Sequence, residues 1–310
     1  MNENLLKYIK KSNRKSGRHL PNFLIIGPQR TGTTWLSENL RKHPDFLISY
    51  PKELYYFTRI KFKTDSKFAE NFKQTKLKNG LKEYLVALAE HIYFDYYKTR
   101  CFKYNELEWY KSFFTLNLIE RIVKNIKSLF KRGEFYKPVL RGEATASYIN
   151  LDEDVIQELL AVCPDIKCII IIRDPVERAW SHAKKQYSRN IKRSISKAEE
   201  DEIINFFKSD YQIACSKYID NIDKWLKYIK KENLLVASFK KLDEQPKEFI
   251  TEILQFLGAE VNLDYFGKDV LGKINKTKEL VIPENYMKVL NELFDDESRK
   301  IKERFGEDFF

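Results

Sequence analysis

"LIIGPQRTGTTWL", residues 24–36, is an apolar run that enters a glycine-bounded loop and leaves it into a helix-forming segment. A strand, a turn and a helix in that order build a phosphate-binding loop, because the helix start presents unpaired N–H groups and about half a positive charge. The nucleoside-triphosphate version of the loop requires Lys directly after its second glycine. Here Gly32 is followed by Thr33 and Thr34, and the loop's cation is Arg30. Gly27 and Gly32 permit the tight turn, Thr31, Thr33 and Thr34 add hydroxyls, and a guanidinium offers a planar fork to anion oxygens. The segment therefore reads as a cradle for a phosphate or sulfate.

Outward from the loop the pattern is α/β. The strand "NFLII" precedes it, a helix runs from about Thr33 to Lys42, His43 and Pro44 turn the chain, and "FLIS" is a short strand. Residues 60–135 read as mostly helical, with "LKEYLVALAEHIYF" and "WYKSFFTLNLIERIVKNI" as amphipathic segments. "PVLRGEAT" resumes the sheet, "DEDVIQELLAV" is a helix, and "IKCIIIIRD" is a fully buried strand of the parallel type. "PVERAWSHAKKQY" opens a helix with Pro175 in its first turn. A long helix near 210–231, the strand "NLLVASF", a helix ending at "FLG" and a last helix from Pro283 complete the chain. This alternation predicts a three-layer α/β/α architecture around a central parallel sheet. Residues 1–19 read as a basic tail and 20–310 as one domain.

The chain has 310 residues, 43% of them hydrophobic, enough for a large core. No stretch approaches the roughly 18 apolar residues of a membrane span, and the first thirty residues lack the apolar centre of a secretory signal. A soluble, cytoplasmic protein is expected. Cys101, Cys163, Cys168 and Cys215 show no CxxC pair and no zinc spacing, so reduced thiols are expected, with no metal site. A net charge of +11, carried mostly by Lys, favours anionic ligands in general.

A second motif bears on the same anion chemistry. In "RDPVERAWS", Arg173 closes the buried strand and Ser181 lies eight residues on, two helical turns along. A strand-end guanidinium and such a hydroxyl can converge on one anion. Asp174 could instead serve Mg²⁺ in a nucleotide kinase using ATP, a reading weakened by the missing loop lysine. A non-catalytic polyanion-binding protein would also account for the charge.

These two stretches resemble the sulfotransferases that use 3'-phosphoadenosine 5'-phosphosulfate, in particular the heparan sulfate type of carbohydrate sulfotransferase and its bacterial relatives. The resemblance runs from about Leu20 to the last helix and implies the sulfotransferase fold, related to that of P-loop nucleotide hydrolases. It also implies this donor, without a metal. "GPQRTGTTWL" is similar to the loop that holds the 5'-phosphosulfate, which assigns that role to Arg30, Thr31, Gly32, Thr33, Thr34 and Trp35. The family's usual cation at the place of Arg30 is Lys, and its tyrosylprotein branch has Arg. Arg173 and Ser181 match the pair that binds the 3'-phosphate, and "KINKTK" lies where a basic segment covers it, which adds Asn275 and Lys276.

"YPKELYYF", residues 50–57, looks like the segment carrying the family's catalytic base, which makes Glu53 the base and Lys52 a partner for the leaving sulfate oxygens. A carboxylate is a weak base near neutrality, so Glu53 must act in concert with bond formation or be desolvated among Tyr55, Tyr56 and Phe57. "GEATASY" is similar to a third-strand segment, but with Ala144 where heparan 3-O enzymes have Lys. Glu143 and Tyr148 there either line an acceptor cleft or close the strand. Trp109 and Tyr110 read as core packing, and His19, His43, His91 and His182 as structural. The resemblance points to a saccharide or other small alcohol or amine as acceptor, with no nucleic-acid partner. Exposed aromatics among Trp35, Tyr55, Tyr56 and Trp180 would suit a sugar ring.

Overall fold

A computed structural model describes residues 19–50, 52–61, 107–116, 118–187, 197–266 and 281–310. In chain order it contains β1 (Phe23–Gly27), α1 (Thr33–Leu40), β2 (Phe46–Ile48), α2 (Tyr56–Lys61), α3 (Leu107–Ser112), α4 (Leu118–Arg132) and β3 (Leu140–Ala144). After a 3₁₀ turn at Ala146–Asn150 come α5 (Glu153–Val162), β4 (Lys167–Ile172), α6 (Pro175–Gln186), α7 (Lys197–Lys208), α8 (Asp210–Ser216) and α9 (Tyr218–Leu226). The chain continues through β5 (Leu234–Ser238), α10 (Phe239–Glu244), α11 (Pro246–Leu257) and α12 (Glu284–Phe305). Among the described residues no helix is long and apolar enough to cross a membrane.

The strands form one sheet in the order β2-β3-β1-β4-β5, with β2 parallel to β3 and β4 parallel to β5. This is the central parallel sheet with flanking helices that the alternation predicts. Every residue of β1 is buried, as are the five residues of β4 after Lys167, which explains why both read as unbroken apolar runs. β1 lies at the centre, where strand order reverses, so the loop at its carboxyl end opens where such sheets bind ligands.

The chain falls into two compact units. One comprises Met1–Leu24, Leu40–Thr145 and Leu151–Lys167, the other Ile25–Asn39, Ala146–Asn150 and Cys168–Phe310. In the first, Phe23 meets Phe46 edge to face at 5.5 Å, and Tyr56 stacks on Tyr110 at 4.3 Å. Trp109 packs against Phe113 at 4.9 Å, so the aromatic pair 109–110 is core, as its sequence context implied. α4 turns Glu120 and Ser128 inward while Leu118, Ile122, Ile126 and Phe130 stay exposed. Its inward polar side is anchored by Asn125, whose Oδ1 accepts from the Tyr136 N–H (3.0 Å), and the Tyr136 hydroxyl donates to the Phe46 carbonyl (2.5 Å).

In the second unit, Trp180, Ala183, Phe207, Tyr286, Leu290 and Phe294 form a core between α6, α7 and α12. The single long helix expected near 210–231 is instead two, α8 and α9, broken at Lys217. Glu297 of α12, buried, accepts from the Ile219 N–H at 2.8 Å and so satisfies an open donor in the first turn of α9. Nothing in the local sequence signals this break, because the group that caps the new start is 78 residues away. α11 ends as "FLG" suggests: Gly258 is left-handed (φ 77°), and the Ala259 N–H reaches the Leu254 carbonyl at 2.9 Å.

Candidate active site

The loop after β1 is shaped by two glycines. Gly27 has φ 108°, and a Cβ there would lie 2.1 Å from the Ala146 carbonyl oxygen; Gly32 has φ 88°, and a Cβ there would meet Leu242 at 2.8 Å. Side chains are excluded at both corners by conformation and by space. Between them Arg30 adopts φ 72°, a left-handed conformation that non-glycine residues rarely take. The Thr31 hydroxyl donates to the Pro28 carbonyl at 2.7 Å and ties the loop to itself. α1 then begins, its first intrahelical bond running from the Leu36 N–H to the Gly32 carbonyl (3.0 Å). Thr33 is buried, Thr34 is exposed, and Trp35 is buried edge-on to Phe249 at 6.2 Å.

The second motif meets this loop. Arg30 donates from Nε to the Ser181 hydroxyl at 3.1 Å across 151 residues of chain, and Arg173 donates from Nη1 to the Arg30 carbonyl at 3.4 Å. Burial first, and then the nearby Arg173 charge, push the Arg30 pKa below its usual value. Arg173 is held from two sides: Glu177 accepts from its Nε and Nη2 at 3.2 and 3.1 Å, and its guanidinium lies 4.5 Å from the centre of the Phe239 ring. Asp174 is the N-cap of α6 and accepts from the Glu177 N–H at 2.8 Å, with Pro175 at the first helical position. Burial raises the Asp174 carboxyl pKa, and the Glu177 N–H partly offsets that rise.

Glu53 belongs to the other unit. Ser49 donates its N–H to the Gly142 carbonyl at 2.9 Å, and Ala144 donates to the Lys52 carbonyl at 3.4 Å, so this stretch extends along β3 beyond β2. The Arg41 guanidinium donates to the Ser49 carbonyl and covers the Tyr50 ring at 5.1 Å. Glu53 is half-buried, and accepts from Lys52 Nζ at 3.3 Å and from the Tyr55 hydroxyl. Tyr55 reaches back because its own backbone is left-handed (φ 55°).

Several expectations change in three dimensions. Trp35, Tyr56 and Trp180 are buried, so of the four aromatics considered for sugar stacking only Tyr55 has a half-exposed side chain; the others fill the interior because their apolar area is worth more there. Glu143 is fully buried and accepts from the Thr145 hydroxyl at 2.9 Å, and Tyr148 is fully buried in the 3₁₀ turn that follows. His43 is buried, with Nδ1 accepting from the Asp45 N–H, and His182 Nδ1 lies 2.7 Å from Gln212 Nε2. Burial, followed by the charge of Arg178, lowers the His182 pKa to about 4. Cys163, Cys168 and Cys215 are buried. Asn275, Lys276, His91 and Cys101 lie outside the described residues. Sequence reading missed Phe239, Glu177 and Leu242 as neighbours of Arg173 and the loop; Glu177 lies four residues on from Arg173 in the first turn of α6, while Phe239 carried no local signal.

A glycine-cornered loop opening a helix, joined to a strand-end Arg and a helix Ser, defines a phosphate-loop type of α/β fold. The chain matches the family model described as the sulfotransferase domain over residues 20–289, and it belongs to that family. It is 25% identical over 269 residues to the mouse (Mus musculus) bifunctional heparan sulfate N-deacetylase/N-sulfotransferase 4, covering 82% of this chain and 24% of that protein. It is 24% identical over 262 residues to the human (Homo sapiens) form 1, with the same shares covered. The chain thus spans about a quarter of the length of the curated relatives it matches. Among solved structures, a sulfotransferase from Alicyclobacillus acidocaldarius shares the fold, with TM-score 0.54, 18% identity and coverage of 94% of this chain and 97% of that one.

Proposed function

We propose that this chain transfers a sulfuryl group from 3'-phosphoadenosine 5'-phosphosulfate to a hydroxyl or amine, with a saccharide as the acceptor. The observation that carries the reading is the gathering of Arg30, Arg173 and Ser181, from two distant motifs, at the start of α1. Arg30 and Arg173 oppose each other's charge in a partly buried site where Glu177 already pairs with Arg173, and an anion bound between them would relieve that opposition. The donor supplies an activated sulfuryl group and two separate anionic ends, and the residues present fit both. Arg30 and the N–H groups at the start of α1 would hold the 5'-phosphosulfate, and Arg173 and Ser181 the 3'-phosphate.

In this reading Glu53 takes the acceptor proton as the acceptor oxygen or nitrogen bonds to sulfur, and the S–O bond to the nucleotide breaks with its electron pair leaving on the 5'-phosphate. Lys52, 3.3 Å from Glu53, steadies the sulfate oxygens and keeps the carboxylate oriented. The saccharide acceptor is supported by the similarity to heparan sulfate N-sulfotransferases. The kinase alternative is weakened by Asp174, whose carboxylate oxygen caps α6.

A thermal-shift titration with adenosine 3',5'-bisphosphate, AMP, and ATP with Mg²⁺ tests the assignment. At 100 times its dissociation constant a ligand adds roughly 2.7 kcal/mol to the fold. Stabilisation by the bisphosphate at concentrations where AMP has no effect is expected; stabilisation by ATP with Mg²⁺ alone would replace this reading with the kinase.

A further inference from the structure

Arg178 is fully buried, yet it is not a spent charge. Its Nη2 donates to the Gln212 carbonyl (3.2 Å), to Gln212 Oε1 (3.1 Å) and to the Ser216 hydroxyl (2.7 Å). Nε and Nη1 have no hydrogen-bond partner among the described residues, and no described carboxylate forms an ion pair with this guanidinium. A buried guanidinium without a counter-charge is costly, so such groups are ordinarily paired. Its field is felt locally: with burial it opposes protonation of His182, and it partly offsets the rise that burial imposes on the Tyr218 phenol. Arg178 is five residues past Arg173 and, along α6, three before Ser181, which places it one turn from the hydroxyl on the same side of the helix.

We propose that Arg178 is a positioning residue: its uncompensated buried charge supplies a fixed positive potential to the Arg173–Ser181 anion subsite, and an incoming 3'-phosphate is the counter-charge it lacks. This rests on the donor assignment above. The low dielectric that makes the bare cation expensive also lets it act across a turn of helix without touching the ligand. The free protein would therefore carry a destabilising charge that ligand binding relieves. Removal of that charge should leave the free fold as stable as before or more so, and should weaken binding only of nucleotides that bear the 3'-phosphate.

The test compares two variants by calorimetric titration and thermal melting without ligand. Arg178→Met removes the charge and keeps most of the volume. Ser216→Asp keeps Arg178 and sets a carboxylate where the Ser216 hydroxyl now lies 2.7 Å from Nη2. Both should bind adenosine 3',5'-bisphosphate about 10-fold or more weakly while changing AMP affinity less than about 3-fold, with an unliganded melting temperature no lower than wild type; tenfold corresponds to about 1.4 kcal/mol. Parallel loss of both nucleotides together with a lower melting temperature means Arg178 is purely structural and overturns the proposal. So does unchanged bisphosphate affinity in Ser216→Asp, which decides the matter even if Arg178→Met does not fold. Wild-type protein that binds no bisphosphate overturns the donor assignment itself, an outcome visible before either variant is made.

Discussion

Replacing Arg173 with Ala separates the structural from the ligand-binding worth of one side chain. In the free protein Arg173, just before the N-cap of α6, pairs with a Glu177 whose side chain is 58% exposed, worth about 0.2–1 kcal/mol as a solvent-screened pair. Its contact with Phe239 adds about 0.5–1 kcal/mol. The fold should thus lose only ~1 kcal/mol, a fall of a few degrees in melting temperature for a chain of this size. A bound 3'-phosphate would lose charge-assisted bonds worth roughly 1.5–3 kcal/mol each. Two such bonds, less the Glu177 pairing that ligand binding must disturb, leave ~3 kcal/mol, or about 10²-fold in affinity. Calorimetric titration of Arg173→Ala with adenosine 3',5'-bisphosphate should show that loss, while AMP stays within ~3-fold. Glu177→Gln, which frees Arg173 from its competing carboxylate, should strengthen the bisphosphate a few-fold. Equal losses for both nucleotides in Arg173→Ala would refute the reasoning, since the side chain would then not be reading the 3'-phosphate.

Two further outcomes are expected. Glu53→Gln should leave bisphosphate affinity unchanged and lower turnover by roughly 10² to 10⁴, the usual worth of a general base, measured by sulfate transfer from labelled donor to a saccharide acceptor; turnover within a few-fold of wild type removes Glu53 from the mechanism. His182, with a folded pKa of about 4 against 6.5 in the ordinary state, binds its proton more readily when unfolded, so its contribution is complete above about pH 6.5 and is lost as pH falls toward 4. That displacement corresponds to about 3 kcal/mol, and partial exposure reduces it to ~2. Urea unfolding between pH 7 and 4.5 should show a shallower decline in His182→Gln than in wild type, and identical slopes would reject the assignment.

What could be read along the chain was local. The apolar runs of β1 and β4, the glycine corners of the loop, the Asp174-Pro175 start of α6 and the glycine stop of α11 depend on neighbouring residues, and steric rules act at that range. The motif residues Arg30, Arg173 and Ser181 were legible for the same reason, because loop and helix positions set where their side chains can reach. Tertiary structure decided the rest. Only packing brought Arg30 to Ser181 across 151 residues, slid Phe239 beneath Arg173, and set Glu297 against the start of α9. Burial likewise withdrew Trp35, Tyr56 and Trp180 into the interior and left Arg178 there without a carboxylate partner among the described residues. Periodicity marks which residue types can be buried; which of them are, and beside what, depends on partners far away in sequence, and there the desolvation that sets their energies is determined.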